Sequence, residues 1–307
     1  MANFVLNAEA REEAVFQGKI NAKKFIEQTL YSEDSVSEGD ITQYFAFENI
    51  ESQTRQKIIL IVNLAKKLHY KGIPERIVNR LKGAARLYEV KTATRMLAFQ
   101  NLLQEFDKSG IDVLVFGNSA LKLHYMKDIS YPIMHIDVAI REEQFEKAQK
   151  YVLDSRLQRF NSNKQTCHYS YIGLHRVMLE ECLASANMTE VWDSAIKTTY
   201  HNTSLSFYVP SPEIMIVSIL CKAFKDTQLF QQCKKGAPVK WITDVTAIIK
   251  GYKIDFGFMA KISIENHLDL QMYVMLTILE RIENGLITRE QLDLFYPDKQ
   301  QIDGRRQ

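Results

Sequence analysis

Residues Ile111–Ile140, IDVLVFGNSALKLHYMKDISYPIMHIDVAI, form the stretch that decides the fold of this chain. The apolar run Val113–Phe116 is typical of a buried strand, and it ends at the small turn residues Gly117-Asn118-Ser119. A segment of helical character follows as far as Met126, and a second apolar run, Ile136–Ile140, closes the stretch. This order predicts a strand, a tight turn, a helix, a loop and a second strand.

Asp137 is the charged residue inside the second predicted strand. Successive side chains of a strand point to opposite faces, so we expect its carboxylate to lie opposite Ile136 and Val138. A turn that leads into a helix presents backbone N–H groups and the positive end of the helix dipole, which favour an anion such as phosphate. The pattern therefore predicts either a phosphate-binding turn beside a carboxylate, or a plain strand-to-helix turn beside a surface acid.

The composition is that of an ordinary soluble globular protein, with 307 residues, 46% hydrophobic and 25% charged. The net charge of +2 gives no strong signal for nucleic acid or a membrane surface. Glu9, Glu12 and Glu13 stand where a signal peptide needs an apolar core. The aliphatic run Ile58–Val62 is far too short to span a membrane. We therefore expect a cytoplasmic protein with no membrane partner.

The cysteines give no sign of a metal site or a redox pair. No two of the four stand at the spacing of a zinc-ligand pair or a CxxC motif; they are Cys167, Cys182, Cys221 and Cys233. Reduced, partly buried thiols are the ordinary interpretation.

Periodicity divides the chain into three predicted regions: 1–108, 109–210 and 211–307. The first region is predicted to be helical, with a clear apolar stripe from Thr54 to Tyr70 and a long helix from Pro74 to Phe106.

The middle region is predicted to hold a mixed sheet of about four to six strands, because short β-favouring runs alternate with turn residues there. The last region returns to helical spacing, starting at Ser211-Pro212-Glu213, where a cap, a first-turn proline and an acid occur together.

The segment Val115–Leu121, with Tyr125 and Ile136–Ile140, resembles the nucleotidyltransferase superfamily, closest to a branch of uncharacterised bacterial nucleotidyltransferase family proteins. The resemblance covers residues 81–283, where the order of predicted elements matches that of the family rather than a string of identical residues. The features that match are Ile172-Gly173-Leu174-His175, Trp192, Ser211-Pro212-Glu213 and Trp241–Val245. The resemblance implies an α+β fold, with a nucleotidyltransferase-like mixed β-sheet core between helical N-terminal and C-terminal regions.

The resemblance also implies a chemistry. Members of the superfamily transfer a nucleoside monophosphate from an NTP to an acceptor, with Mg²⁺ held by carboxylates on adjacent strands. Carried onto this chain, it makes Asp137 the catalytic metal ligand. It assigns nucleotide contacts to the turn and to two histidines, namely Gly117, Asn118, Ser119, His135 and His175.

The chain departs from the pattern at two acidic positions. His135 stands where the first acid of the Asp-x-Asp pair belongs, and Gly173 stands near the third acid. Imidazole is a poor ligand for Mg²⁺, and Glu180 or Glu181 can be placed near the site only by assumption. Two hypotheses stay open. The protein transfers nucleotides with Mg²⁺ and NTP to an unknown acceptor, or it is a catalytically degenerate member that binds a nucleotide, a peptide or a partner protein.

Overall fold

The structure is a computed structural model, and it describes residues 55–127, 132–154, 159–162, 166–169, 172–175, 188–200, 203–232 and 240–296. The chain divides into two compact units, one formed by Val36–Ser211 and the other by Met1–Ser35 with Pro212–Gln307. The helices predicted before residue 55 lie outside the described residues, as do Glu180 and Glu181. The division into 1–108, 109–210 and 211–307 stays a prediction.

The unit Val36–Ser211 begins, in its described part, with two helices, α1 (Arg55–Lys67) and α2 (Glu75–Lys108). Pro74 stands directly before α2, where its missing N–H costs no hydrogen bond. Gly83 lies within α2 without interrupting it, since the buried stripe continues on both sides from Leu81 to Phe106. Both predicted helices are confirmed.

Seven described strands form one mixed sheet, rather than the expected four to six. They are β1 (Val113–Phe116), β2 (Ile136–Ile140), β3 (Arg159–Ser162), β4 (Thr166–Tyr169), β5 (Ile172–His175), β6 (Ile196–Thr199) and β7 (Ser206–Val209). Their order is β3-β4-β5-β2-β1-β7-β6. Strand β6 was missed because it is a short edge strand, Ile-Lys-Thr-Thr, with no buried residue to mark it.

In the described residues, short helices connect these strands: α3 (Gly117–Ala120), which continues as a π-helical turn over Leu121–Tyr125, α4 (Phe145–Asp154), which follows a 3-10 turn over Glu142–Gln144, and α5 (Met188–Asp193). The predicted order of strand, turn, helix and second strand is confirmed, and part of the predicted loop, residues 128–131, lies outside the described residues. The turn residues themselves form the first turn of α3, so the helix starts earlier than the predicted Ala120.

Helix α2 covers one face of the sheet. Phe99 of α2 meets Phe207 of β7 edge-on at 6.1 Å between ring centroids, and it meets Tyr200 at 6.2 Å. The Tyr200 hydroxyl donates to the Met96 carbonyl of α2 at 3.1 Å, so its polar end is satisfied within the core. Strand residues that alternate with those packed against α2 point to the opposite face of the sheet.

The opposite face carries the polar residues of the central strands. β2 pairs antiparallel with β1 and parallel with β5, which places Phe116, Asp137 and Gly173 side by side across three strands. Paired residues point to the same face. The buried neighbours Ile136 and Val138 lie on the other face, as predicted.

The unit completed by Pro212–Gln307 is helical throughout its described part, which runs over α6 (Pro212–Gln232), α7 (Lys240–Gly251), α8 (Phe256–Glu265), α9 (Asp269–Ile282) and α10 (Arg289–Asp293). Asp255 caps α8 by accepting from the Phe258 amide, and a capping box of Thr288 and Gln291 starts α10. The α+β prediction is therefore confirmed. In the described part of the chain, every helix is too short or too polar to cross a bilayer.

Candidate functional site

The site begins where β1 ends and α3 starts. Gly117 has a φ of +63°, a backbone conformation that side chains with a Cβ rarely adopt. A glycine there lets the chain turn from strand into helix within one residue. This is the local reason for the small residue that the sequence pattern singled out.

Ser119 ties this turn to the second strand. Its side chain is buried, with 1% of the residue exposed, and its hydroxyl donates to the His135 carbonyl at 3.0 Å. The bond joins residues 16 positions apart and brings α3 against the segment that enters β2. The roles of Gly117, Asn118 and Ser119 as phosphate contacts stay predictions.

Helix α2 holds the segment that precedes β2. The Ile133 amide donates to the Thr92 hydroxyl at 3.0 Å, and the Arg95 side chain donates to the Met134 carbonyl at 2.8 Å. These contacts fix the backbone directly before His135. No sequence pattern pointed to Thr92 or Arg95, because their partners lie about forty positions away, at separations of 41 and 39 residues.

His135, Asp137 and His175 come together on the polar face. His135 Nδ1 lies 2.9 Å from Asp137 Oδ1, and His175 Nε2 lies 3.1 Å from the same oxygen. An ionised carboxylate is only an acceptor, so each nitrogen that faces it carries a hydrogen and donates. The structure thus brings together three of the residues that the resemblance named, around a single oxygen atom.

Burial alone would raise the pKa of Asp137, because a less polar environment disfavours the charged form. The hydrogen bonds from His135 and His175 act in the opposite direction, with charge attraction from both rings. They outweigh burial and hold the pKa of Asp137 well below the usual range of an aspartate. Asp137 is therefore a carboxylate throughout the physiological pH range.

Gly173 forms the floor beneath these three side chains. A Cβ added at this residue would lie 2.8 Å from His135 Cε1, 2.8 Å from His175 Nε2 and 2.9 Å from Asp137 Oδ1. Such distances are shorter than normal contacts, so the space that a side chain would need is already filled. The two histidines can therefore take these positions because residue 173 is a glycine.

One aromatic side chain contacts the cluster around Asp137, and two others lie elsewhere in the same unit. Phe116 meets the His175 ring edge-on at 5.2 Å, which limits how that imidazole can turn. Trp192, one of the residues behind the resemblance, is buried beneath the Arg141 guanidinium at 4.3 Å from the ring centroid. Tyr125 donates its hydroxyl to the Pro210 carbonyl. Trp192 and Tyr125 therefore stabilise the unit rather than line the cluster around Asp137.

The donor set does not fit a pair of Mg²⁺ ions. Mg²⁺ requires hard oxygen ligands in a near-octahedral arrangement, and this cluster offers one carboxylate whose Oδ1 already accepts two N–H groups. Among the residues that the structure describes, no three histidine, cysteine, aspartate or glutamate side chains are arranged to hold a metal ion. The assignment of Asp137 as a metal ligand stays a prediction, without support from its neighbours.

Comparison with known proteins gives one informative finding. The model of a family described as uncharacterised nucleotidyltransferase matches residues 53–282 of this chain. The match covers β1, β2 and β5, and hence the cluster around Asp137. No curated protein matches the chain, and no solved structure does.

Proposed function

The chain belongs to the family of uncharacterised nucleotidyltransferases, and from this premise we propose that it binds a nucleotide beside Asp137 without metal-dependent transfer. The fold and the family give the coarse description, a nucleotidyltransferase-like protein. The proposal adds that the site has kept recognition and lost the chemistry. This is the second of the two hypotheses that the sequence left open.

One observation carries the proposal. Asp137 Oδ1 accepts hydrogen bonds from His135 and His175, so this oxygen of the carboxylate is occupied by its neighbours. Charged hydrogen bonds of this kind are the strong ones, and two act on one oxygen atom. A divalent ion at that oxygen has to displace both donors.

The position of the site supports nucleotide binding. Asp137 is about a third exposed, and His135 is exposed to a similar extent. The turn Gly117–Ser119 leads from β1, the strand directly beside β2, and is bonded to the His135 backbone. A ligand that reaches Asp137 therefore also comes near the turn.

Metal-dependent transfer to an unknown acceptor is the competing function, and membership of the family favours it. It requires further carboxylates close to Asp137. In the register of the sheet, the neighbouring position on β5 is Gly173, which has no side chain. That pairing is the reason for preferring recognition without transfer.

Thermal unfolding with ATP, GTP, CTP or UTP tests the binding part of the proposal. A nucleotide present at 100 times its dissociation constant should stabilise the folded state by about 2.7 kcal/mol, which is readily seen as a higher melting temperature. Asp137→Asn should reduce the shift, because it removes the charge that orients the two histidines. The matched control is Asp107→Asn, which alters an exposed aspartate near the end of α2.

Pyrophosphate release tests the other part. We expect none above the protein-free rate with any of the four nucleotides, in the presence of Mg²⁺ or Mn²⁺. Release that disappears in Asp137→Asn and persists in Asp107→Asn would establish transfer and contradict the proposal. Absence of a melting shift with all four nucleotides would refute nucleotide binding.

A further inference from the structure

The charge around Asp137 differs from that of a three-acid site. Three clustered carboxylates repel a polyphosphate strongly, and cations must neutralise them before the ligand can approach. Here a single carboxylate stands between two imidazoles that donate to it at 2.9 and 3.1 Å. Most of the repulsion that a metal would relieve is therefore missing.

An oxygen ligand added on β5 would have to displace side chains of the cluster. Gly173 pairs with Asp137 across the sheet, so a side chain at residue 173 would point to the same face. That space holds His135 Cε1, His175 Nε2 and Asp137 Oδ1, all within 2.9 Å of a Cβ built there. The imidazoles occupy the volume from which a further carboxylate would reach a metal.

The two imidazoles are held firmly. His175 is packed against Phe116, with 14% of its side chain exposed, and the segment entering His135 is bonded to Ser119, Thr92 and Arg95. Moving either ring to admit an ion at Asp137 Oδ1 breaks a hydrogen bond to the carboxylate. The hydrogen bonds of the cluster thus disfavour a metal ion at this oxygen.

From these contacts we infer that the site takes its nucleotide as the metal-free polyphosphate, and that Mg²⁺ is not needed for binding. The inference rests on the proposed function, since it names the form of the ligand bound at that same site. Mg²⁺ in solution then weakens the apparent binding, because it converts the metal-free nucleotide that the site takes into the Mg²⁺ complex.

Isothermal titration of the full chain with ATP, GTP, CTP and UTP, in EDTA and in excess MgCl₂, tests the inference. We expect at least one nucleotide to bind in EDTA, with an affinity no weaker than in MgCl₂. Binding that occurs only with MgCl₂ overturns the inference and leaves nucleotide recognition standing. Absence of binding in both solutions overturns the inference together with the proposed function.

A variant that rebuilds the acids provides the matched comparison. His135→Asp with Gly173→Asp removes one imidazole and places two carboxylates beside Asp137. In this variant Mg²⁺ should tighten nucleotide binding at least tenfold, whereas the wild type shows no gain. Equal metal dependence in both proteins contradicts the role given to the imidazoles.

Direct metal binding gives a second readout in case the double variant does not fold. Mn²⁺ replaces Mg²⁺ in such sites and can be counted by electron paramagnetic resonance. We expect the wild type to leave added Mn²⁺ free in the absence of nucleotide, and His135→Asp alone to bind it more tightly. A Mn²⁺ ion held tightly by the wild type, and released by Asp137→Asn, overturns the inference.

Discussion

Asp137 on β2 and Asp244 on α7 are both bonded to nitrogen donors, yet their pKa values are displaced in opposite directions. Asp137 is about a third exposed and accepts from two imidazoles, and its pKa is lowered. Asp244 is 4% exposed and pairs with the Lys240 ammonium at 2.5 Å, and burial raises its pKa despite that partner.

The difference shows which effect prevails in each region. Around Asp137, the hydrogen bonds and charge attraction of two imidazoles outweigh burial, so the charged form is favoured. Around Asp244, burial outweighs the ion pair, because removing a carboxylate from water costs more than one partner returns. A perturbed carboxylate is a candidate for a functional site only when its partners and exposure agree with that interpretation, which is why the proposed site is at Asp137 and not at Asp244.

The largest expected effect comes from breaking the buried pair. Lys240→Met should lower the free energy of unfolding by about 3–5 kcal/mol at neutral pH, because Asp244 is left buried without its cation. Urea denaturation followed by circular dichroism measures the loss.

The matched variant is Lys240→Met with Asp244→Leu, which replaces both charges by apolar groups and should recover most of the stability. The loss in Lys240→Met should also shrink in acid. The raised pKa means that Asp244 takes up a proton readily as the pH falls, and the buried charge disappears. A loss that is the same at acidic and neutral pH would show that the charge is not its cause.

The next effect comes from adding one methyl group beneath Asp137. Gly173→Ala should destabilise the protein by about 1–3 kcal/mol, since three side-chain ends must move to admit a Cβ. Chemical denaturation gives the value, and the histidine ring signals in nuclear magnetic resonance should shift.

The double variant Gly173→Ala with His135→Ala relieves one of the two closest contacts and should cost less than the sum of the single changes. Gly83→Ala is the control, because a Cβ there meets nothing within 4 Å and favours the helix. Additive losses in the double variant would mean that His135 and Gly173 are not coupled.

A smaller effect is expected from Asp137→Asn, with a cost of about 1–2 kcal/mol at neutral pH for weakening two charged hydrogen bonds in a partly exposed site. The folded-state pKa of Asp137 lies below its unfolded value of about 3.9. The stabilisation is therefore fully present above that value and is lost as the pH falls through the folded-state pKa.

Denaturation of the wild type and Asp137→Asn from neutral pH to acid checks this sign. The difference between the two proteins should stay constant down to pH about 4 and then decrease. If the difference in free energy of unfolding grew on acidification, the pKa of Asp137 would be raised in the folded state rather than lowered.

The smallest effect should come from an exposed ion pair. Glu89 lies 2.6 Å from Lys66, with side chains 61% and 34% exposed. Glu89→Gln should change the free energy of unfolding by less than about 0.5 kcal/mol, because water screens the pair. If Glu89→Gln lost as much stability as Lys240→Met, the exposed and the buried ion pair would contribute equally. Burial could then not explain why Asp137 and Asp244 differ.

The sequence predicted the elements around the site but not its contacts. Val113–Phe116, the glycine turn and Ile136–Ile140 follow from local apolar patterning, and α2 follows from its stripe of buried residues. His175 and Gly173 were placed near Asp137 only through the resemblance. The contact of His175 with Asp137 Oδ1, and the place of Gly173 beside it, depend on the register of β5 against β2, which no local pattern specifies.

By itself, the sequence determined the α+β class, the helices α1 and α2 and the replacement of the expected acids by His135 and Gly173. These features are local, because helical and strand periodicities are encoded by residues a few positions apart. Only the tertiary structure decided that His175, 38 positions from Asp137, contacts the same oxygen as His135, beside a glycine where a Cβ would crowd all three side chains. Strands that are distant in the chain pair through backbone hydrogen bonds, and the register of that pairing decides which side chains become neighbours.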